Sequence, residues 1–241
     1  MILEEARKKT IFALDVHGLD DIDRWAETLA GKVGMFKVGK ELFTACGPAA
    51  VKAVQRHGGQ VFLDLKYHDI PNTVANAMLE AARLGVSLAN LHALGGAEMM
   101  SAAVTAVHWE FNNNERPRLL AVTILTSSTV ETLRQVGIEH SVQDMVVRLA
   151  RLARESGMDG VVASPLEIGL IRDACGPDFL IVTPGVRPSF AAADDQKRIM
   201  TPAEAVRCGA DYLVIGRPIA KAADPAYAAE CIAAEIVDGA A

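Results

Sequence analysis

Asp64 and Lys66 stand one residue apart in Val61-Phe62-Leu63-Asp64-Leu65-Lys66, followed at once by Tyr67-His68-Asp69. Carboxylates placed on both sides of an amine suggest charge chemistry. An ammonium held by neighbouring carboxylates keeps its proton and works as an acid, not as a nucleophilic amine. Such a cluster suits placing a proton on carbon where negative charge develops. Lys37, in Phe36-Lys37-Val38-Gly39, and Asp15, closing Ile11-Phe12-Ala13-Leu14-Asp15, are candidates to join it. Taken alone, Asp64 and Lys66 have about a one in three chance of being no more than a surface ion pair. The second candidate feature is a pair of glycine-arginine segments, Val182-Thr183-Pro184-Gly185-Val186-Arg187 and Val214-Ile215-Gly216-Arg217-Pro218-Ile219. Glycine amides with a guanidinium fork suit a phosphate group. Each segment alone would read as a tight turn. Together they favour an anionic ligand.

These residues need elements that bring them to one place. Short apolar runs rich in β-branched residues fall at Thr10–Asp15, Val33–Val38, Gln60–Lys66, Leu88–Leu91, Arg118–Leu125, Gly160–Ala163, Phe179–Thr183 and Tyr212–Ile215. Between them lie stretches of helical spacing such as Thr73–Leu84, Ser141–Ser156 and Thr201–Cys208, each followed by a glycine suited to a helix stop. Strands alternating with helices imply right-handed βαβ units and a parallel sheet. Eight such units in 241 residues fit a single-domain (β/α)₈ TIM barrel better than an open doubly wound sheet. No G-x-G-x-x-G follows the first strand, which weakens a dinucleotide site. Alternation along the third strand aims Asp64 and Lys66 to one side and Val61, Leu63 and Leu65 to the other. In such a barrel the chemistry sits at the C-terminal strand ends, and loops seven and eight commonly take phosphate.

Composition sets outer limits. Apolar residues make up 51% of the chain, enough for one large core, and the formal charge is −6. That balance disfavours nucleic acid or an anionic membrane as partner. Cys46, Cys175, Cys208 and Cys231 form no Cys-x-x-Cys pair, so neither a zinc site nor a disulfide framework is expected. The charged start Met1-Ile2-Leu3-Glu4-Glu5 lacks the apolar core of a signal peptide. The expectation is a soluble cytoplasmic protein. Phe190-Ala191-Ala192-Ala193-Asp194-Asp195-Gln196-Lys197-Arg198 is small and polar, as a lid or an ordinary solvated loop would be.

The run Asp64-Leu65-Lys66-Tyr67-His68-Asp69-Ile70-Pro71-Asn72-Thr73 resembles the D-x-K-x-x-D-I-P-N-T signature of the orotidine 5′-monophosphate decarboxylases, which catalyse the last step of de novo UMP synthesis. Leu14-Asp15, Phe36-Lys37-Val38-Gly39, Leu125-Thr126-Ser127, Thr183-Pro184-Gly185-Val186-Arg187-Pro188 and Ile215-Gly216-Arg217-Pro218 resemble further segments of that family, in its order. The pattern is closer to the bacterial type than to the eukaryotic type fused to a phosphoribosyltransferase. The resemblance implies the following roles. Lys66 donates a proton to pyrimidine C6, and Asp64 lies beside the departing carboxyl group. Lys37 and Asp69 are outer members of a Lys-Asp-Lys-Asp network. Asp69, Ile70 and Thr73 reach a neighbouring subunit's site, which makes the active site a property of a homodimer. Asp15 binds ribose hydroxyls, and Thr126 lies at the pyrimidine edge. Pro184, Arg187, Gln196, Gly216 and Arg217 belong to the lid and phosphate contacts. No cofactor and no metal is implied.

Sister barrels acting on sugar phosphates, 3-keto-gulonate 6-phosphate decarboxylase and hexulose phosphate synthase, share the Asp-x-Lys-x-x-Asp pattern. They carry a magnesium-holding acid on strand two, where this chain has Lys37. Ribulose-phosphate epimerase is more distant, since its metal histidines have no counterparts here. His68 and His92 near strand ends read as structural. A non-catalytic phosphate-binding barrel would retain Gly216 and Arg217 but have no use for Lys66 between two aspartates.

Overall fold

Eight short parallel strands close on themselves in chain order: β1 (Thr10–Leu14), β2 (Met35–Gly39), β3 (Gln60–Tyr67), β4 (Leu88–His92), β5 (Arg118–Val122), β6 (Gly160–Val162), β7 (Leu180–Pro184) and β8 (Tyr212–Ile215), with β8 pairing back onto β1. The computed structural model describes residues 1–113, 115–191 and 200–239. Helices occupy the connections: α1 (Leu3–Lys9) before β1, then α2 (Leu19–Thr28), α3 (Lys40–Cys46), α4 (Pro48–Arg56), α5 (Pro71–Arg83), α6 (Gly96–Glu110), α7 (Val130–Gln135), α8 (Val142–Glu155), α9 (Ile168–Cys175), α10 (Pro202–Arg207), α11 (Arg217–Ala220) and α12 (Pro225–Gly239). The eight-stranded barrel expected from the sequence is the fold. Local chemistry sets the helix ends. Pro71 and Pro202 open α5 and α10 at positions where no amide is needed. A Thr201–Glu204 capping box starts α10, and Ser141 caps α8. Gly85, Gly157 and Gly209, at φ 72°, 83° and 107°, stop the three helices where the sequence placed stops.

Two apolar layers result from strand alternation. Ile11, Ala13, Met35, Phe62, Leu88, Leu120, Val122, Val162, Val182 and Val214 fill the barrel interior. Residues one step out of phase, such as Phe12, Phe36, Leu63 and Ile181, pack against the helices. Phe12 stacks edge-on to Phe36 and tilted against Trp25 of α2. Each fully buried side chain of this size contributes about 1.5–3 kcal/mol. The inward parity continues to the strand tops, which places Lys37, Asp64 and Asn90 above Met35, Phe62 and Leu88.

At the opposite end the strand starts are tied by paired charges. Asp159, before β6, accepts from the Leu119 amide at 2.7 Å and from both arms of Arg116 at 2.6 and 2.7 Å. Asp211, before β8, repeats the device with the Ile181 amide at 2.8 Å and Arg172 at 3.0 Å. Burial alone would raise the Asp159 carboxyl, but Arg116 and the Leu119 amide outweigh it and hold it below the usual range. This contribution is full above the ordinary carboxyl range and is lost as pH falls through the lowered value. The Arg116 side chain is only 6% exposed. Arg116→Ala leaves the buried carboxylate with only the Leu119 amide and the exposed Arg118, 3.3 Å from its Oδ1, and we expect a loss of about 1–3 kcal/mol in urea unfolding at neutral pH. A loss below about 1 kcal/mol, the size of a surface ion pair, would show that the pair does not secure the barrel floor.

Candidate active site

Four charges alternate across three neighbouring strands at the C-terminal mouth. Lys66 Nζ lies 2.5 Å from Asp64 Oδ1. Lys37 Nζ lies 3.6 Å from Asp64 Oδ2 and 3.5 Å from Asp15 Oδ1. The Asp64 side chain is 11% exposed, Lys37 13% and Lys66 22%. Burial pushes the Asp64 carboxyl up, but Lys37 and Lys66, with hydrogen bonds from Lys66 and Asn90, outweigh it and hold it below its ordinary value. Asp64 therefore stays anionic at neutral pH although its surroundings are nearly dry.

Lys66 reaches this position by leaving regular strand geometry. It has φ 52°, the only positive φ outside glycine among the described residues. The β3–β4 register shifts between Leu63 and Tyr67 at the same place. Leu65 still packs outward against the helix-side core, as alternation predicts. Asn90, fully buried on β4, donates to Asp64 Oδ1 and accepts from the Lys66 amide. The sequence reading missed it. Counting inward positions from Leu88 would have found a polar residue at a core position.

The cluster opens into two adjoining cavities. One, of about 210 Å³, has Lys37, Asp64, Lys66 and Thr126 on one side and Phe62, Val122, Ile124, Val162 and Val214 as an apolar wall. The other, of about 570 Å³, is bordered by Asp15, Lys37, Thr126, Pro184, Arg187, Gly216 and Arg217. Lys37, Thr126, Pro184 and Val214 border both. Lys66 and Arg217 thus face one continuous cleft. At Gly216 a Cβ would lie 3.1 Å from the Ala13 side chain and 3.5 Å from Asp15 Oδ2, so any larger residue would press on β1 and narrow the cleft. Phe190 and Ala191 line the larger cavity. Gln196 and the rest of the expected lid beyond Ala191 lie outside the described residues.

Three expected residues do not join this cleft within one chain. Asp69 is exposed and turns its Oδ1 onto the Ile70 amide at 2.7 Å. Ile70 is 66% exposed, and Thr73 is exposed on the first turn of α5. In their place, Asp15 completes the alternation of charges on this chain. The two histidines set aside as separate structural residues pack against each other, with ring centroids 5.6 Å apart. Burial first, then the charges of His68, Lys40 and Lys66, pushes the His92 imidazole down to about 4, against a smaller opposing pull from Asp64. His92 is neutral at pH 7, and its contribution to stability is lost as pH falls from about 6.5 through about 4. His92→Asn should flatten that slope, making the variant relatively more stable at about pH 5 by about 1 kcal/mol after screening at this half-buried site. Unfolding midpoints at neutral and acid pH check this; parallel losses in both proteins would contradict it.

Among the described residues, no three His, Cys, Asp or Glu side chains gather as a metal-holding group, and no helix is long and apolar enough to cross a membrane. A closed parallel barrel with a cation–carboxylate chain at the mouth and arginines on the loops after β7 and β8 carries its charged groups where (β/α)₈-barrel enzymes carry their chemistry. Residues 8–232 match the model of the orotidine 5′-phosphate decarboxylase / HUMPS family, and the chain belongs to that family. A relative named orotidine 5′-phosphate decarboxylase from Trichlorobacter lovleyi is 77% identical over 99% of both chains. Another of that name from Geobacter sulfurreducens is 70% identical over 99% of this chain and 100% of its own. The crystal structure of orotidine 5′-phosphate decarboxylase from Lactobacillus acidophilus superposes with a TM-score of 0.84 at 38% identity, covering 94% of this chain and 98% of that one.

Proposed function

We propose that the chain converts orotidine 5′-monophosphate into uridine 5′-monophosphate and carbon dioxide, the last step of de novo UMP synthesis. The observation that carries this reading is the Lys66 ammonium, held at 2.5 Å by Asp64 in a cleft whose far side bears Arg187 and Arg217. The bond from C6 to the carboxyl carbon breaks and its electron pair stays on C6. The ammonium of Lys66 stabilises that charge as it develops and then gives C6 its proton, and solvent restores the ammonium. Asp64, anionic and beside the departing carboxylate, repels it in the bound substrate and less once carbon dioxide forms. Lys37 holds Asp64 and Asp15 in place. Asp15 takes ribose hydroxyls, Thr126 the pyrimidine edge, and Pro184, Arg187, Gly216 and Arg217 the phosphate end, with Gln196 from the lid. Phosphate binding far from C6 supplies energy for organising the site.

The exposed Asp69, Ile70 and Thr73 fit a site shared between two copies of the chain, in which Asp69 of one copy meets the lysines of the other. Mixing Asp69→Ala chains with Lys66→Ala chains should then recover activity in hybrid dimers. No recovery would mean that each site is built from one chain. The reaction itself is checked by following orotidine 5′-monophosphate absorbance with EDTA present and no cofactor added. Full turnover is expected. No turnover of orotidine 5′-monophosphate, together with magnesium-dependent, EDTA-sensitive turnover of 3-keto-gulonate 6-phosphate, would instead place the chain among the sugar-phosphate barrels.

A further inference from the structure

Strands β3 and β4 are out of step beside the charge cluster. Leu63 pairs with Ala89 and Tyr67 with Leu91, so Asp64, Leu65 and Lys66 together face Asn90 alone. A ladder with that mismatch cannot supply its usual main-chain bonds. A buried amide left without a partner costs about 1–3 kcal/mol. The Asn90 carboxamide fills the gap: its Oδ1 accepts from the Lys66 amide at 2.8 Å and its Nδ2 donates to Asp64 Oδ1 at 2.7 Å. Those partners fix which way the carboxamide faces, since an amide N–H only donates and an ionised carboxylate only accepts.

The left-handed turn at Lys66 costs about 1–3 kcal/mol and persists only where surrounding contacts hold it. Asp64 Oδ1 receives both Asn90 and the Lys66 ammonium, so that carboxylate cannot rotate without losing both. We propose that Asn90 is a positioning residue of the reaction, one carboxamide fixing both the backbone turn that aims Lys66 and the rotamer of Asp64. The role needs a donor and an acceptor side by side on a short stem. Aspartate offers acceptors only, alanine neither group, and glutamine a stem one methylene too long. This inference rests on the decarboxylase reading.

The test compares wild type, Asn90→Ala and Asn90→Asp in kcat and KM for orotidine 5′-monophosphate, in affinity for uridine 5′-monophosphate, and across pH. Asn90→Ala should lower kcat about 10²-fold, as expected when a reacting group shifts by about 1 Å. Product affinity should stay within about threefold, because Asp15, Arg187 and Arg217 stand on other strands and loops. Asn90→Asp puts a second carboxyl group against Asp64. Lys66 and Lys37 face that pair from β3 and β2, and His92 lies beyond it on β4. Two adjacent carboxylates share a proton, so the ratio of variant to wild-type kcat should rise as pH falls. A kcat within about threefold of wild type in both variants overturns the proposal. So does a parallel loss of kcat and product affinity, or failure of both variants to fold, each of which marks Asn90 as a purely structural residue. A wild type inert toward orotidine 5′-monophosphate would sink the decarboxylase reading itself; an active wild type with unchanged variants sinks only the positioning role.

Discussion

Lys66→Ala should lower kcat/KM for orotidine 5′-monophosphate by at least about 10⁴-fold, since in the mechanism proposed above it would remove both the charge facing C6 and the proton C6 receives. Lys37 stays 3.6 Å from Asp64, so the carboxylate keeps one cation and the pocket its shape. Affinity for uridine 5′-monophosphate should therefore fall far less than the rate. A companion variant separates chemistry from folding. Lys66 carries a left-handed backbone, which glycine adopts freely. Lys66→Gly should be about 1 kcal/mol more stable than Lys66→Ala and equally inactive. Stopped assays with concentrated enzyme and thermal unfolding measure the two effects. Activity of Lys66→Ala within about tenfold of wild type, about 1.4 kcal/mol of barrier, would show that this ammonium is not the proton donor.

Arg217→Ala should be the second largest loss, about 10²–10³-fold in kcat/KM. Arg217 lies just past β8, exposed at the rim of the larger cavity. A guanidinium–phosphate pair is bidentate and charge-assisted, stronger than a neutral hydrogen bond. Binding energy used to organise the site appears in kcat as well as KM, so both should change. Arg217→Lys should restore only part, because a point charge lacks the fork. Initial rates over a range of substrate concentrations decide it. An unchanged KM in Arg217→Ala would move the phosphate elsewhere.

The parts of this site legible in the sequence were those set by local rules. Period-two alternation aimed Asp64 inward and Leu65 outward on β3, and strand–helix alternation put the strand ends at one mouth. The glycine stops after α5, α8 and α10 followed from residue type. Strand ends were less exact. β5 finishes at Val122, before the expected Leu125, and β2 starts at Met35, after the expected Val33, with the Gly34 amide donating to the Thr10 carbonyl as the chain enters the sheet. What the sequence hid depends on neighbours in space. The β3–β4 mismatch, the left-handed turn at Lys66 and the Asn90 bridge exist only when two strands meet. The approach of Gly216 to Ala13 likewise needs the barrel to close. Asp69 was legible as part of a signature, but a single chain leaves it at the surface.

Exchange of the C6 hydrogen of uridine 5′-monophosphate with deuterium oxide, followed by proton NMR, tests the central claim most directly. A site that stabilises charge on C6 and protonates it must also run that step backwards. The wild type should exchange C6 hydrogen far faster than free nucleotide, and Lys66→Ala should not. Exchange that persists unchanged in Lys66→Ala, or is missing from a wild type that still releases carbon dioxide, would contradict it.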